Sequence, residues 1–487
     1  MRRIAKRLLC PLLCAALLCG CSTLPSTEGP LPSKPSSDTS STVSRPPKEV
    51  RTALAYSAAD SLHPYKAQTS ANRRLLPLLY EGLVEIDARW DAQPALASSW
   101  EQTDATHLTF TLREGAVFSD GTAVTASDVA ASFQKARYHE AYRALTQNIY
   151  AVRAADSRTV TVTLNAADPH AVSALSFPVI LERGDTCLGT GAYCAEGAAL
   201  VANPQREAPA VARWELCDIP RESELAYALE SGAIAYYFTE LSDGEPLRSV
   251  GTVGQSAVVR NDLLFLGINS ARSKFRDASV RAALSDALSR EALCTQILAG
   301  GAVPATVPFV PTWSGAASLS GFAKTENIAN AVAKWQELGY NKLDVELLTC
   351  ADSPLHAAVA QGLKAQFGQA GVTVQTVSLP REEYLERIER GDFDIYLGEV
   401  RLSADLSLRP FFSGSASVGV SAEGKALYAR YLRGELTAEA FCSAFCAEVP
   451  FLPLCWRQGV GVYATSLRGV SPIGTDVYGG IEAWTVG

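Results

Sequence analysis

From about position 48 onward the apolar residues follow two alternating periodicities. VRTALAYS at 50–57 alternates apolar or β-branched residues with small and polar ones, the period-two mark of a half-buried strand. The same period returns in His107-Leu-Thr-Phe-Thr-Leu-Arg113 and in Thr159-Val-Thr-Val-Thr-Leu164. The stretch 117–124 reads as a short strand with an Asp-Gly turn, and 82–86 and 263–268 as apolar strands. Helical spacing predicts helices over 72–80, 125–137, 222–231 and 327–338, the last two closed by Gly232 and Gly339. Thr125 stands three residues before Asp128 at the head of an apolar run, a capping signature. SVRAALSDALSREALCTQILA at 279–299 predicts one long amphipathic helix ending at Gly300-Gly301. Strands at 343–348, 372–377 and 393–397 alternate with helices at 355–370 and 382–390, which argues for a mostly parallel sheet wrapped by helices. No internal repeat appears.

The front of the chain follows a different pattern. Arg2, Arg3, Lys6 and Arg7 precede an apolar run from Leu8 to Leu18, too short to cross about 30 Å of hydrocarbon. Leu18-Cys19-Gly20-Cys21 then resembles a bacterial lipoprotein lipobox, although Cys19 stands where a small or aliphatic residue is usual. The resemblance implies cleavage after a signal peptide of residues 1–20, with Cys21 as the lipid-bearing N-terminus. The alternative is an ordinary secretory signal with accidental cysteines. Residues 21–47 are mostly Ser, Thr, Pro and Gly, so they cannot bury enough apolar surface to offset their ordering entropy. They read as a tether of about 25–30 Å. The expected location is the extracytoplasmic face of the cell membrane, in a periplasm or outside a single-membrane cell.

Length, charge and cysteine content narrow the class. The 440 or so residues after the tether exceed what one core usually organises, so two or three domains are expected. The net charge is −8, with no basic patch, which argues against nucleic acid. No later apolar run reaches about 18 residues. Eight cysteines follow Cys21, and an oxidising compartment permits disulfides, with Cys187–Cys194 and Cys442–Cys455 as possible pairs. Cys442 and Cys446 have helical spacing, but AEAFCSAFCAEV puts them on or near an apolar face, so buried thiols are favoured over disulfides and over zinc.

Five segments, in order, carry a resemblance. They are Ser61-Leu-His-Pro64 with Leu79-Tyr-Glu-Gly-Leu83; the block from Pro94-Ala-Leu-Ala97 through Phe118-Ser-Asp-Gly-Thr122 to Thr125-Ala-Ser-Asp-Val129; Gly189-Thr-Gly-Ala-Tyr193; Leu266-Gly-Ile-Asn269 through Val280-Arg281-Ala-Ala-Leu284 to Gly301-Ala-Val-Pro304; and Gly391-Asp-Phe-Asp394. Val449-Pro-Phe-Leu-Pro-Leu454 is also similar to a family pattern. Together these resemble the bacterial family 5 extracellular solute-binding proteins, which serve peptide, nickel and some oligosaccharide ABC importers. The resemblance implies an α/β, two-lobed clamshell of the type II periplasmic-binding-protein kind, with an extra domain on the first lobe. The first lobe would take 48–66, 178–262 and 458–487, the extra α+β domain 67–177, and the second lobe 263–457. Ligand would be held between lobes that close about hinge strands.

The same resemblance names candidate ligand contacts. Family peptide binders carry Trp-x-Ala-Asp-Tyr after the Gly-Asp-Phe-Asp strand, and its aspartate meets the ligand amine. Here the stretch is Leu402-Ser-Ala-Asp-Leu406, so Asp405 matches the aspartate while Leu402 and Leu406 replace the aromatic walls. The alternative for Asp405 is a loop residue bonding its own backbone. Arg401 and Arg409 flank it as candidate partners for a ligand carboxylate, or as solvated charges. Trp456 is a candidate cleft wall or core residue. Tyr193 and His63 are read as structural.

The expected function is capture of short peptides, as a monomer, for a permease and ATPase, with no cofactor and no catalytic residues. Nickel chelate and oligosaccharide are alternatives within the family. The five histidines lie at no metal-ligand spacing, so a protein-built metal site is not expected. An exported enzyme is the rival of another class, and no Gly-x-Ser-x-Gly or His-Glu-x-x-His motif supports it. A tethered sensor that kept the clamshell without transport is a further alternative.

Overall fold

The computed structural model describes residues 51–242, 252–340 and 342–487. The segments expected to be a signal peptide, the expected lipidation residue Cys21 and the expected tether lie outside the described residues. The organising feature is a pair of long strands, Val253–Ile268 of 16 residues and Phe451–Ala464 of 14, paired antiparallel with each other. At about 3.4 Å per residue the longer one spans roughly 50 Å, enough to belong to both lobes. On the first-lobe side Phe451–Ala464 pairs with Tyr236–Thr239, followed in the sheet by Ala53–Tyr56, Arg213–Asp218, Ala199–Ala202 and Tyr193–Ala195. On the second-lobe side Val253–Ile268 pairs with Ile395–Arg401, followed by Leu343–Cys350 and Val372–Leu379.

The ladder between the two long strands slips between Val259 and Leu263. Residues 253–259 pair with the end of Phe451–Ala464 and residues 263–267 with its start. This irregularity marks the crossing from one lobe to the other. Beyond it, every residue from Asp262 to Ile268 is buried, as in a strand covered on both faces.

The strands expected to lie parallel do so: Leu343–Cys350 pairs in parallel with both of its neighbours, and Ala53–Tyr56 with Arg213–Asp218. The sheet as a whole is mixed, because the crossing strands run out and return and so pair antiparallel. The expectation of one helix over 279–299 needs correction. The segment divides into Ala278–Asp286, Arg290–Ala292 and a π-type turn over Leu293–Ile297. The break at Ser289 is held by a distant side chain: the Gln366 amide accepts from Ser289 N at 2.9 Å and donates to Ser289 O at 3.1 Å. Arg290, buried beside it, donates to Pro453 O and Ser285 O, acceptors that a straight helix would not present.

Elsewhere local chemistry decides the elements. His107–Leu112 and Thr159–Leu164 alternate buried with more exposed residues inside a four-stranded antiparallel sheet with Ala97–Gln102 and Ile149–Ala154. Helix Ala126–Ala136 starts at Thr125, whose N–H and hydroxyl both donate to Asp128 Oδ2, at 2.8 and 2.6 Å. Stretch 117–124 is a turn with one bridge, Val117 to Ala123, rather than a strand. All eight described cysteines are free, and Cys294, Cys350, Cys442 and Cys455 are buried. No described helix is long and apolar enough to cross a membrane.

Candidate functional site: a cavity between the lobes

A cavity of 820 Å³ opens where the second lobe faces the first. The wall on that side takes in the end of helix Ser70–Leu79, the Tyr80-Glu81-Gly82 segment after it and strand Val84–Ile86, all from the stretch expected as the extra domain, and the C-terminal stretch 473–482. The Gly-Thr-Gly turn fits here because it presses on the helix end. A Cβ on Gly191 would come within 2.4 Å of Leu78 O, and Gly191 N donates to Leu79 O at 3.0 Å. Tyr193, beyond the turn, is buried, its hydroxyl donating to Val211 O and accepting from Trp214 Nε1. His63 faces Glu182 at 2.8 Å, and its Nδ1 accepts from Tyr65 N.

The second lobe contributes Leu402, Ser403 and Ala404. Leu402 N donates to Asn261 O at 2.8 Å and Asn261 Nδ2 donates back to Leu402 O, which clamps this loop to the crossing strand. Asp405 lies directly behind the wall, 6% exposed, and is not part of the cavity surface. Its Oδ1 accepts from the Ser403 hydroxyl and from Ser407 N. Burial pushes the carboxyl up to about 7, and nearby Asp168 adds to this. The two hydrogen bonds and Arg409 act the other way.

Arg409 meets Asp168 at 3.0 Å. That pair is one stitch in a seam between segments far apart in sequence. His170 Nε2 lies 2.8 Å from the Tyr431 hydroxyl, Trp90 Nε1 donates to Thr312 Oγ1 at 2.9 Å, and Ser314 Oγ donates to Asp91 Oδ1 at 2.5 Å. These contacts join residues 90–91 and 168–170 to residues 312–314, 409 and 431. Asp168→Asn would leave the Arg409 guanidinium, 17% exposed, without its counter-charge. Small-angle scattering of this variant is expected to show a larger radius of gyration in the absence of solute, with solute affinity reduced by up to about ten-fold, because only the closed fraction binds fully. Scattering identical to that of the natural chain would show that the seam does not set the closed population.

The other two candidates lie apart from this cavity. Arg401 sits directly opposite Asp262 in the ladder; its Nε donates to Asp262 Oδ1 and its Nη2 to Glu240 Oε2, both at 2.7 Å. Arg260 bridges the same two carboxylates at 2.8 and 2.7 Å, and Arg74 reaches Glu240 at 2.9 Å. Three guanidiniums and two carboxylates thus meet where the ladder slips. Trp456 is 1% exposed, its Nε1 has no hydrogen-bond partner among the described residues, and it borders a second cavity of 540 Å³ with Phe309 and Trp313. Arg73, Glu81, Glu85, Asp476 and Glu482 line the main cavity and were not singled out by sequence reasoning. Only Glu81 sits in one of the recognised segments; nothing local marks the others. Among the described residues no group of three or more His, Cys, Asp or Glu side chains could hold a metal ion.

A mixed α/β chain whose two lobes share crossing strands and enclose a solute-sized cavity is built as a solute-binding clamshell. The chain belongs to the bacterial extracellular solute-binding proteins, family 5, whose middle region matches residues 91–417. The putative binding protein of Haemophilus influenzae is 29% identical over 155 residues, covering 27% of this chain and 30% of that protein, so the match spans less than a third of that relative. The glutathione-binding protein GsiB of Escherichia coli O1:K1 / APEC is 25% identical over 360 residues, 68% of this chain and 69% of GsiB. Among solved structures, the periplasmic murein tripeptide-binding protein MppA in its unliganded open form superposes with a TM-score of 0.74 at 20% identity, covering 90% of this chain and 97% of MppA. NikZ from Campylobacter jejuni in complex with Ni(L-His) gives 0.63 at 19% identity, covering 89% and 99%. These two likenesses concern the fold.

Proposed function

We propose that this chain captures short peptides outside the cytoplasm, anchored by lipid on Cys21, and hands them unaltered to a permease and ATPase. The carrying observation is the 820 Å³ cavity shared by both lobes, within the range of about 300–1,000 Å³ usual for small-solute sites. The loop 402–404 forms part of its wall, and Asp405, buried directly behind that loop, sets a carboxyl close to where an α-ammonium would lie. The names of GsiB and MppA, one binding glutathione and the other a murein tripeptide, favour peptides over other solutes. A metal chelate, as in the NikZ complex, would have to bring its own ligands.

Thermal unfolding with a library of di- to pentapeptides tests this reading. A peptide at 100 times its Kd adds about 2.7 kcal/mol to the closed native form and raises Tm accordingly. Shifts with nickel–histidine chelates or oligosaccharides and none with any peptide would replace it.

A further inference from the structure

The wall of the interlobe cavity is unevenly charged. Five carboxylates line it, and two are already satisfied. Glu81 meets Arg113 and Arg206, each at 2.9 Å. Asp87 accepts from the N–H groups of Arg89 and Asp91 and from the Gln93 side chain. The remaining three, Glu85, Asp476 and Glu482, hold no ion pair among the described residues. Asp476 has only a hydrogen bond from Tyr478 N, at 2.9 Å.

Glu85 and Asp476 are both raised by their acidic neighbours. Burial raises the Glu85 carboxyl, and Glu81 and Glu482 raise it further. Burial pushes Asp476 up to about 6, with Glu482 and Glu85 adding to it. The fold therefore concentrates negative potential at one part of the wall, where Arg206, the cation that also acts on Glu85, is already held by Glu81 at 2.9 Å. The rest of the wall suits a cation with a hydrocarbon stem. Tyr80, Tyr142 and Tyr478 line it together with leucine and isoleucine side chains, against which an aliphatic stem can pack.

We infer that the cleft selects peptides carrying a lysine or arginine side chain in addition to the α-ammonium, with that side chain set against Glu85, Asp476 and Glu482. The site itself is given by the cavity and the family; the charge decides what it takes. The inference rests on the peptide reading above. A cation placed against the trio would relieve its mutual repulsion and, by holding the carboxylates ionised, would gain affinity as pH rises through about 6.

The test is isothermal titration of the full chain with tri-lysine, tri-alanine and tri-glutamate at low salt. Tri-lysine is expected to bind at least ten-fold more tightly than tri-alanine, and tri-glutamate most weakly. Both Glu85 and Glu482 are exposed, so the double variant Glu85→Gln/Glu482→Gln keeps the fold; it is expected to cut the tri-lysine preference below three-fold. Equal binding of tri-lysine and tri-alanine to the natural chain overturns the charge inference and leaves the peptide reading standing. So does an undiminished preference in the double variant. Failure of all three peptides, with binding of a non-peptide solute instead, overturns both.

Discussion

Asp405→Asn is expected to stabilise the solute-free protein by about 2 kcal/mol at pH 7.5 and to weaken binding of an amine-bearing peptide by about 1–2 kcal/mol, because the carboxylate acts across the loop rather than by direct contact. Folding takes this carboxyl from an ordinary value of 3.8 to about 7, chiefly by removing it from water. Between about pH 4 and 7 the folded chain therefore holds a proton that the unfolded chain has released. Stability contributed by this group falls as pH rises across that window, and the full penalty, up to about 4 kcal/mol, stands above it. Asparagine carries no charge to desolvate and still accepts from Ser403 and Ser407, though its added N–H donors cost part of the gain. The natural residue is thus costly unless a cation arrives. Urea unfolding at pH 5 and 7.5 should show the stabilisation at the higher pH only. Titration of a bound peptide in buffers of different ionisation enthalpy should show proton release near pH 6.5 in the natural chain and none in the variant. A variant less stable at both pH values, with unchanged peptide affinity, would make Asp405 a loop-closing residue.

Asp262→Ala is expected to destabilise the protein by about 3–5 kcal/mol and to loosen the crossing between the lobes. Asp262 is buried and takes Arg260 and Arg401 at 2.7 Å each, where the ladder slips. Without it three guanidiniums share Glu240 alone, and the Arg260 side chain, 8% exposed, cannot regain full hydration. Burial pushes the Asp262 carboxyl up to about 6 in spite of Arg260, so the pair is held together by the fold and adds little net stability. The loss on substitution comes from the stranded cations. Arg401→Ala is the matched comparison: its side chain is 53% exposed, and removing it should cost at most about 1 kcal/mol. Denaturation of the two variants measures the contrast, and equal losses would contradict this account.

The parts of the fold legible in the sequence are those decided within a few residues. Thr125 and Asp128 cap their helix through bonds three residues apart. The alternation in Thr159–Leu164 survives because one face of that strand is buried and the other is more open. Gly232 ends its helix at φ 75°, where a side chain would be strained. The break at Ser289 was not legible, since its partner Gln366 lies 77 residues away and the local pattern remains helical throughout. The start of the crossing strand was missed for a related reason. The expected strand began only at 263 because Gln255, Ser256, Arg260, Asn261 and Asp262 are polar, yet 253–259 pair with the returning strand and the charges of Arg260 and Asp262 are balanced by residues from elsewhere.

Sequence alone determined the family and the two-lobed plan, because each is carried by order and spacing along the chain. The loop 402–406 could also be located from its place after Gly391-Asp-Phe-Asp394. Only the tertiary structure decided that Asp405 lies behind the cavity wall rather than on it, that Arg401 and Arg409 are paired with carboxylates, and that Glu85, Asp476 and Glu482 share one wall. Charge and burial depend on which distant segments come together, and residues nearly 400 positions apart in the chain leave no mark on one another's neighbourhood until it folds.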